Sequence, residues 1–103
     1  MKKQSSEKVI EAKLVTEVKK TGGLCIKLLC DQFSGLPDRM CLFPGGKIVF
    51  VELKSTGQKP RPLQIAVHNR FRLLGFRVEV IDTIEGVNKL LQDYDTRRYK
   101  SNY

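Results

Sequence analysis

Two stretches decide the fold of this chain: Gly35-Leu36-Pro37-Asp38-Arg39 and, beyond a glycine-rich turn, Val49-Phe50-Val51-Glu52-Leu53-Lys54. Alternation along a strand puts Glu52 and Lys54 on one face of a segment that otherwise has the composition of a buried strand. Two charges on such a face are costly unless they pair, bind a metal or line a cleft. Asp38, from the preceding strand, supplies the second carboxylate that a divalent cation would need.

The two strands are joined by a tight turn at Pro44-Gly45-Gly46. Pairing about this turn makes Asp38 and Glu52 near cross-strand neighbours. It places Arg39 or Met40 roughly opposite Leu53 or Glu52, in a register that can slip by one or two residues. Opposed carboxylates repel each other. Mg²⁺ takes one or two carboxylates and keeps several waters, so it would remove that repulsion. The backbone carbonyl of Leu53 is a further candidate ligand.

A third carboxylate, Glu11, lies on the apolar stripe of the helix predicted over residues 5–20. It precedes Leu14 and Val15 by three and four residues and therefore shares their face. The helix alone favours a glutamate at the edge of the stripe that reaches solvent. The alternative is a metal ligand that reaches the site directly or through water.

Three other side chains are candidates for the chemistry around these carboxylates. Lys54 could hold an attacking water, neutralise a phosphate oxygen or accept a proton, and the alternative is a surface partner of Glu52. The Glu-x-Lys pattern is weak alone, but the preceding Pro37-Asp38, the hairpin spacing and the order of elements favour the catalytic role. Gln64 and His68 lie four apart on the next predicted helix and share a face. Gln64 can hydrogen-bond a water or a phosphate. For His68, an exposed or satisfied helix histidine is favoured over a supporting role or a phosphate contact.

The element order predicted from the pattern is α-β-β-β-α-β-α, an α/β fold with a mixed central sheet flanked by helices. The predicted strands are residues 24–29, 39–43, 47–54 and 76–81, and the later helices are residues 62–74 and 84–92. Residues 1–93 are expected to form one domain. Residues 94–103, with Arg97, Arg98 and Lys100, are expected to be a basic, flexible tail.

The chain has 103 residues and a net charge of +8, which favours a polyanionic partner, most often nucleic acid. The basic residues expected to flank the cleft and bind nucleic acid are Lys27, Arg39, Lys59 and Arg61. Ordinary solvated charge is the alternative for each of them. Phe33, in the loop before Pro37, is the aromatic residue considered for packing on a base or on a partner subunit.

The sequence has no apolar run of transmembrane length and no signal-peptide pattern, so no membrane partner is expected. Cys25 and Cys41 fit strand core positions, and Cys30 fits a strand end. An odd number of thiols without a Cys-x-x-Cys pair, and a single histidine, make a zinc site unexpected. Free thiols fit a reducing cytoplasm, the interior of a bacterial cell or of a phage-infected one.

The stretch from Pro37-Asp38 to Glu52-Leu53-Lys54 is similar to the signature of the PD-(D/E)XK nuclease superfamily. The finer pattern resembles the VRR-NUC (virus-type replication-repair nuclease) family over about residues 7 to 92. The matching pieces are Glu11, Gly22-Gly23, Lys27, residues 35–39, Gly46, residues 49–54, Gln64, Leu74-Gly75, Val78 and Val80. With no appended domain, the chain resembles the stand-alone phage and virus members.

The resemblance implies a Mg²⁺- or Mn²⁺-dependent deoxyribonuclease that hydrolyses phosphodiester bonds. It also implies Glu11, Asp38 and Glu52 as acidic metal-site residues, Lys54 as the catalytic lysine and Gln64 as a motif residue. Stand-alone members are associated with homodimers and with cleavage of branched DNA such as four-way junctions. The alternatives are a non-catalytic or partner-dependent DNA-binding module on the same fold, and a basic interaction protein.

Overall fold

The computed structural model describes residues 3–95, which form three helices and four strands. The order is α-β-β-β-α-β-α, as predicted. The elements are α1 (Glu7–Lys20), β1 (Leu24–Lys27), β2 (Arg39–Phe43), β3 (Lys47–Leu53), α2 (Pro62–Leu73), β4 (Arg77–Ile81) and α3 (Ile84–Gln92).

The four strands form one mixed sheet in the order β1-β2-β3-β4. The first three strands are antiparallel neighbours, and β4 runs parallel to β3 because α2 carries the chain across between them. The backbone N–H of Lys54 donates to the carbonyl of Ile81 at 3.0 Å, which extends the β3–β4 ladder past the last residue of β3. The predicted mixed sheet is confirmed.

One face of the sheet packs on α1 and α3, and the other packs on α2. Val49, Val51 and Leu53 alternate on the α1/α3 side and are at most 1% exposed. The core there also contains Ile10, Leu14, Val18, Cys41, Phe43, Ile81, Val87, Leu90 and Leu91. Because side chains alternate, Phe50 and Glu52 must face α2. Phe50 meets Phe71 of α2 edge-on, with 4.9 Å between ring centroids.

The structure moves several predicted boundaries by one or two residues. Helix α1 begins at Glu7, because the Ser6 hydroxyl caps it by accepting from the N–H of Val9 at 3.3 Å. Strand β1 ends at Lys27 rather than at residue 29, so Cys30 lies beyond the strand and is exposed. The cores of the other elements are where the pattern placed them.

The register of the β2–β3 hairpin differs from the prediction by one or two residues. Arg39 pairs with Val51, not with Glu52 or Leu53. Both glycines of the turn have positive φ, and the five-pair ladder closes directly on that turn. Continuing this register by one residue sets Asp38 opposite Glu52. The predicted cross-strand proximity of these two carboxylates therefore agrees with the observed register.

The predicted tail falls mostly outside the described residues, since residues 96–103, including Arg97, Arg98 and Lys100, are not among them. Tyr94 is described, and it stacks on Phe43 with 4.3 Å between ring centroids. Its hydroxyl accepts a hydrogen bond from Arg77 at 2.9 Å. Tyr94 therefore packs on the domain rather than belonging to a tail. No helix within residues 3–95 is long and apolar enough to cross a bilayer.

Candidate active site

Glu52 is the centre of a polar cluster between β3 and α2, and it is only 1% exposed. One carboxylate oxygen, Oε2, accepts a hydrogen bond from Gln64 Nε2 at 2.8 Å and lies 3.3 Å from the Nζ of Lys54. The other oxygen, Oε1, has no hydrogen-bond partner within residues 3–95. Lys54 thus shares the face of Glu52, as strand alternation predicts, and its side chain is 18% exposed.

Asp38 immediately precedes β2, and backbone N–H groups of two other segments hold its side chain and its own carbonyl in place. Its Oδ2 accepts from the N–H of Leu53 at 2.8 Å, and its own carbonyl accepts from the N–H of Leu28 at 2.9 Å. Pro37, which precedes it, is fully buried. These contacts hold the second carboxylate beside the peptide of Leu53, whose carbonyl is the predicted backbone ligand.

Gln64 connects the start of α2 to the carboxylate of Glu52. It is the third residue of the helix, and its Oε1 accepts from the N–H of Arg61, the N-cap residue, at 2.8 Å. Its Nε2 donates to Glu52. One amide side chain therefore caps the helix and fixes a site carboxylate, which explains why a glutamine is suited to this position.

His68 lies one turn further along α2 and is also directed at Glu52. It is 1% exposed, and its Nε2 lies 3.6 Å from Glu52 Oε1, too far for a normal hydrogen bond. Neither atom has a hydrogen-bond partner among residues 3–95. The interpretation of His68 as an exposed or satisfied helix histidine is therefore wrong.

Burial and, to a lesser extent, the neighbouring charge of Asp38 raise the pKa of Glu52 to about 7, although Lys54 acts in the opposite direction. Burial, together with the nearby charge of Arg72, lowers the pKa of His68. Both groups are thus pushed towards their neutral forms. A cation bound close to Glu52 would reverse this for its carboxylate, since it favours the ionised form.

Glu11 is placed differently from the other two acidic residues. Its Oε2 accepts from the Nε of Arg39 at 2.9 Å, and Arg39 also donates to the carbonyl of Cys25 at 3.2 Å. Arg39 pairs with Val51 and so shares the α1 side of the sheet, opposite the side that Glu52 faces. The Glu11–Arg39 pair therefore joins α1 to the sheet, and the roles of Glu11 as a metal ligand and of Arg39 as a phosphate contact stay predictions.

The other basic residues predicted to bind nucleic acid are exposed. Lys27 ends β1, and Lys59 and Arg61 lie in the segment between β3 and α2. Arg61 immediately precedes the helix that carries Gln64. Their positions leave these three side chains accessible to a phosphate backbone.

The donor set around Glu52 fits a hard divalent cation with few protein ligands. No group of three or more His, Cys, Asp or Glu side chains within residues 3–95 is close enough to hold a metal. Mg²⁺ needs only one or two carboxylates because it keeps several waters. Among residues 3–95, Glu52 Oε1 is buried and has no hydrogen-bond partner, and Asp38 is close enough for its charge to act on Glu52. Glu11, Asp38 and Glu52 are therefore not gathered into one cluster, but the pair Asp38–Glu52 suits Mg²⁺ or Mn²⁺.

Comparison with known proteins identifies relatives of this fold. A solved VRR-NUC domain superimposes with a TM-score of 0.81 and 34% sequence identity, covering 87% of this chain and 99% of that domain. Protein p44 of Acyrthosiphon pisum secondary endosymbiont phage 1, named as a proposed nuclease, is 46% identical over 77 residues, or 75% of this chain and 83% of p44. The chain belongs to the VRR-NUC family. No family model matches the chain, so membership rests on these similarities.

Two features of this VRR-NUC site were not predicted from the sequence. The spacing of His68 to Gln64 was recognised, but nothing local shows that this helix face is buried against Glu52. Glu7 was not predicted to belong to the site, yet its charge is close enough to raise the pKa of Glu52. Its own N–H donates to the Ser55 hydroxyl at 3.3 Å, just beyond the end of β3.

Proposed function

We propose that this VRR-NUC protein is a Mg²⁺- or Mn²⁺-dependent DNA endonuclease that hydrolyses phosphodiester bonds. The observation that carries the proposal is the buried carboxylate of Glu52. It lies beside Asp38, has one oxygen without a hydrogen-bond partner in the described chain, and is flanked by Lys54 and Gln64. Family membership and the likeness to p44 support a nuclease.

Asp38 and Glu52 would hold the cation, with the carbonyl of Leu53 as a neutral ligand. Glu11 would assist through water, or directly if its ion pair with Arg39 opened. When bound, the cation would supply a water of lowered pKa and neutralise charge on the phosphate. Buried Glu52 and half-buried Asp38 repel each other when both are ionised, which favours binding of a cation between them.

Lys54 and Gln64 would orient the attacking water. The Nζ of Lys54 and the Nε2 of Gln64 both approach the same oxygen of Glu52, so together they define one side of the reaction centre. Lys54 is only partly buried, and its ammonium is the nearest cationic group available to a phosphate oxygen or to a proton released by the water.

Exposed basic side chains would bind the DNA backbone without reading base sequence. Lys27, Lys59 and Arg61 are suitably exposed, and the net charge is +8. Contacts of this kind release counterions, so binding should weaken steeply as the salt concentration rises.

We further propose a homodimer that acts on branched DNA such as four-way junctions, because two active sites related by a two-fold axis would cut two strands symmetrically. An apolar part of the sheet supports a partner copy. On the side that faces α2, Leu24, Ile26 and Ile48 are 63%, 38% and 37% exposed. Sedimentation equilibrium of the wild type and of Ile26→Lys tests this, since a dimer through this surface should dissociate in the variant.

The test of the function is cleavage of labelled four-way junction, flap, linear duplex and single-stranded DNA, each with Mg²⁺, Mn²⁺ or EDTA. Wild type and Glu52→Ala are compared, and circular dichroism verifies that the variant is folded. We expect metal-dependent cleavage, paired cuts in the junction, and no cleavage by Glu52→Ala.

Full activity in Glu52→Ala would contradict the assignment of the site. If no substrate is cut but DNA binding is tight and salt-sensitive, the protein is a binding module or needs a partner. Cutting of linear duplex as fast as of the junction would retain the nuclease and remove the selectivity for branches.

A further inference from the structure

A cleft lies next to the proposed catalytic centre, and of the residues that line it only Gln64 and Arg61 have a role in the function proposed above. It has a volume of about 590 Å³ and lies between residues 28–36 and the start of α2. Its walls are mixed: Leu29, Phe33 and Leu63 supply apolar surface, while Asp31 and Arg61 supply opposite charges. A cleft of this size is in the range that accepts small organic ligands.

The cleft is continuous with the active site through Gln64, whose side chain lines it and donates to Glu52 Oε2 at 2.8 Å. Arg61, the exposed N-cap residue of α2, lies on the same wall and donates its backbone N–H to Gln64. A group in the cleft is therefore one side chain away from the carboxylate that would hold the metal, and it lies beside a cation suited to a phosphate.

The loop that carries Phe33 is held against α2. Gly35 has a φ of +87°, and a Cβ at this position would lie 2.9 Å from Val67 Cγ2 and 3.1 Å from the carbonyl oxygen of Leu63. Pro37 is fully buried. Because the loop cannot move away from the helix without losing this packing, the cleft exists before any ligand binds.

The side chains that line the cleft indicate which kind of ligand it binds. Phe33 is 51% exposed and Leu63 is 55% exposed, so an aromatic face and an aliphatic face are both open to solvent. A ring flanked by an arginine is how proteins bind single-stranded nucleic acid, since bases stack on the ring and the guanidinium binds the backbone. In a duplex each base is already stacked on its neighbours, so only an unpaired nucleotide can offer its face.

We propose that this cleft binds an unstacked nucleobase next to the scissile phosphate, with Phe33 as the stacking surface and Arg61 as the contact to the adjoining phosphate. The inference rests on the proposed nuclease function and sharpens its substrate class. The preferred DNA has an unpaired nucleotide beside the cut, as at a branch point or in a flap. Asp31 on the rim is placed to accept hydrogen bonds from exocyclic amino groups.

The test uses DNA flaps that carry 2-aminopurine as the unpaired nucleotide at the branch, bound in Ca²⁺ so that binding is separated from cleavage. The chain has no tryptophan, so the fluorescence of 2-aminopurine is read without overlap from an indole. We expect strong quenching by the wild type and by Phe33→Tyr, which keeps the ring. Phe33→Leu should lose the quenching and bind the flap about tenfold more weakly, in the range of one base–aromatic stack.

Two controls define the effect. Leu74→Ala removes an apolar side chain that is 69% exposed after the last residue of α2 and should bind as the wild type does. Perfect duplex DNA should bind wild type and Phe33→Leu within twofold of each other. Thermal unfolding of Phe33→Leu should match the wild type, because Phe33 is half exposed.

Equal quenching by wild type and Phe33→Leu would overturn the proposal. A fall in sedimentation mass for Phe33→Leu would also overturn it, since the cleft would then be a contact between copies. Cleavage assays in Mg²⁺ separate the two claims. If the protein cleaves DNA equally well with and without the Phe33 ring, only the proposed base site is wrong. If quenching depends on Phe33 but the wild type does not cleave, only the proposed nuclease function is wrong.

Discussion

The two faces of the sheet differ in the polarity of the side chains that they bury. The closed face, which packs on α1 and α3, has an apolar core whose residues are mostly 0–5% exposed, and the Glu11–Arg39 ion pair lies on this side as well. The open face, which packs on α2, contains the polar cluster of buried Glu52 and His68 with half-buried Gln64. It also leaves Leu24 and Ile26 exposed at 63% and 38%.

The comparison distinguishes the residues that stabilise the fold from a residue whose burial destabilises it. Val51 and Glu52 are adjacent in the chain and are both at most 1% exposed, yet they face opposite sides of the sheet. Burying a valine stabilises the fold, whereas burying a carboxylate with an unpartnered oxygen costs free energy. A buried carboxylate that lowers the stability of the fold is therefore expected to have a functional role.

The largest expected effect comes from this adjacent pair. Val51→Ala should lower the free energy of unfolding by about 2 kcal/mol and leave kcat near that of the wild type. Glu52→Gln should stay folded and lower kcat on the order of 10³-fold or more, because it removes a charge needed to hold the metal. Urea unfolding and single-turnover cleavage measure the two quantities. The contrast would fail if Val51→Ala lost as much kcat as Glu52→Gln.

The next effect is a pH dependence of the metal-free protein. The pKa of Glu52 is raised from 4.5 to about 7 in the folded state, so the folded protein binds more protons than the unfolded one between these values. Protonated Glu52 therefore contributes fully to the free energy of unfolding below about pH 4.5, and this contribution is lost as the pH rises through 7. In EDTA, Glu52→Gln should be more stable than wild type at pH 8 by on the order of 2–3 kcal/mol. Parallel stability–pH curves for the two proteins would refute this.

A smaller effect is expected at His68. His68→Leu keeps an apolar side chain in the buried position but removes the nitrogen beside Glu52 Oε1. We expect the Mg²⁺ concentration for half-maximal cleavage to rise about tenfold, as for other groups that support metal ligands. Leu73→Ala, on the exposed side of the same helix, should leave it unchanged. An unaltered Mg²⁺ requirement in His68→Leu would assign His68 to packing alone.

The smallest effect concerns the DNA backbone. Lys59→Ala should reduce the slope of log binding constant against log salt concentration by about one, because one phosphate contact is lost. Lys19→Ala, exposed on α1 and therefore on the other side of the sheet, should keep the wild-type slope. Equal slopes for all three proteins would show that Lys59 does not contact DNA.

Much of the site follows from local rules. Period-two alternation put Glu52 and Lys54 on one face, and the tight turn brought Asp38 to the same level. Gln64 was recognised from its place in a helix that starts at Pro62. In each of these cases the sequence separation is short or a single turn sets the geometry, so the pattern alone limits the alternatives.

The contacts that the sequence did not predict lie where distant segments meet. The pairing of Glu11 with Arg39 depends on how α1 crosses the sheet, which no helical pattern encodes. The burial of His68 depends on which side of α2 contacts β3. The packing of Tyr94 on Phe43 connects the end of the described chain to β2. These contacts are non-local, so composition and periodicity do not specify them.

The order of elements, the mixed sheet and the carboxylate–lysine motif could be predicted from the amino-acid pattern alone, because periodicity and turn residues act over a few residues. Three properties depend on the packed fold: the difference between the two faces of the sheet, the cleft beside Gln64, and the burial of Glu52, one of whose oxygens has no hydrogen-bond partner within residues 3–95. Burial and unpaired atoms are properties of what surrounds a residue, and those surroundings exist only after α2 has packed on the sheet.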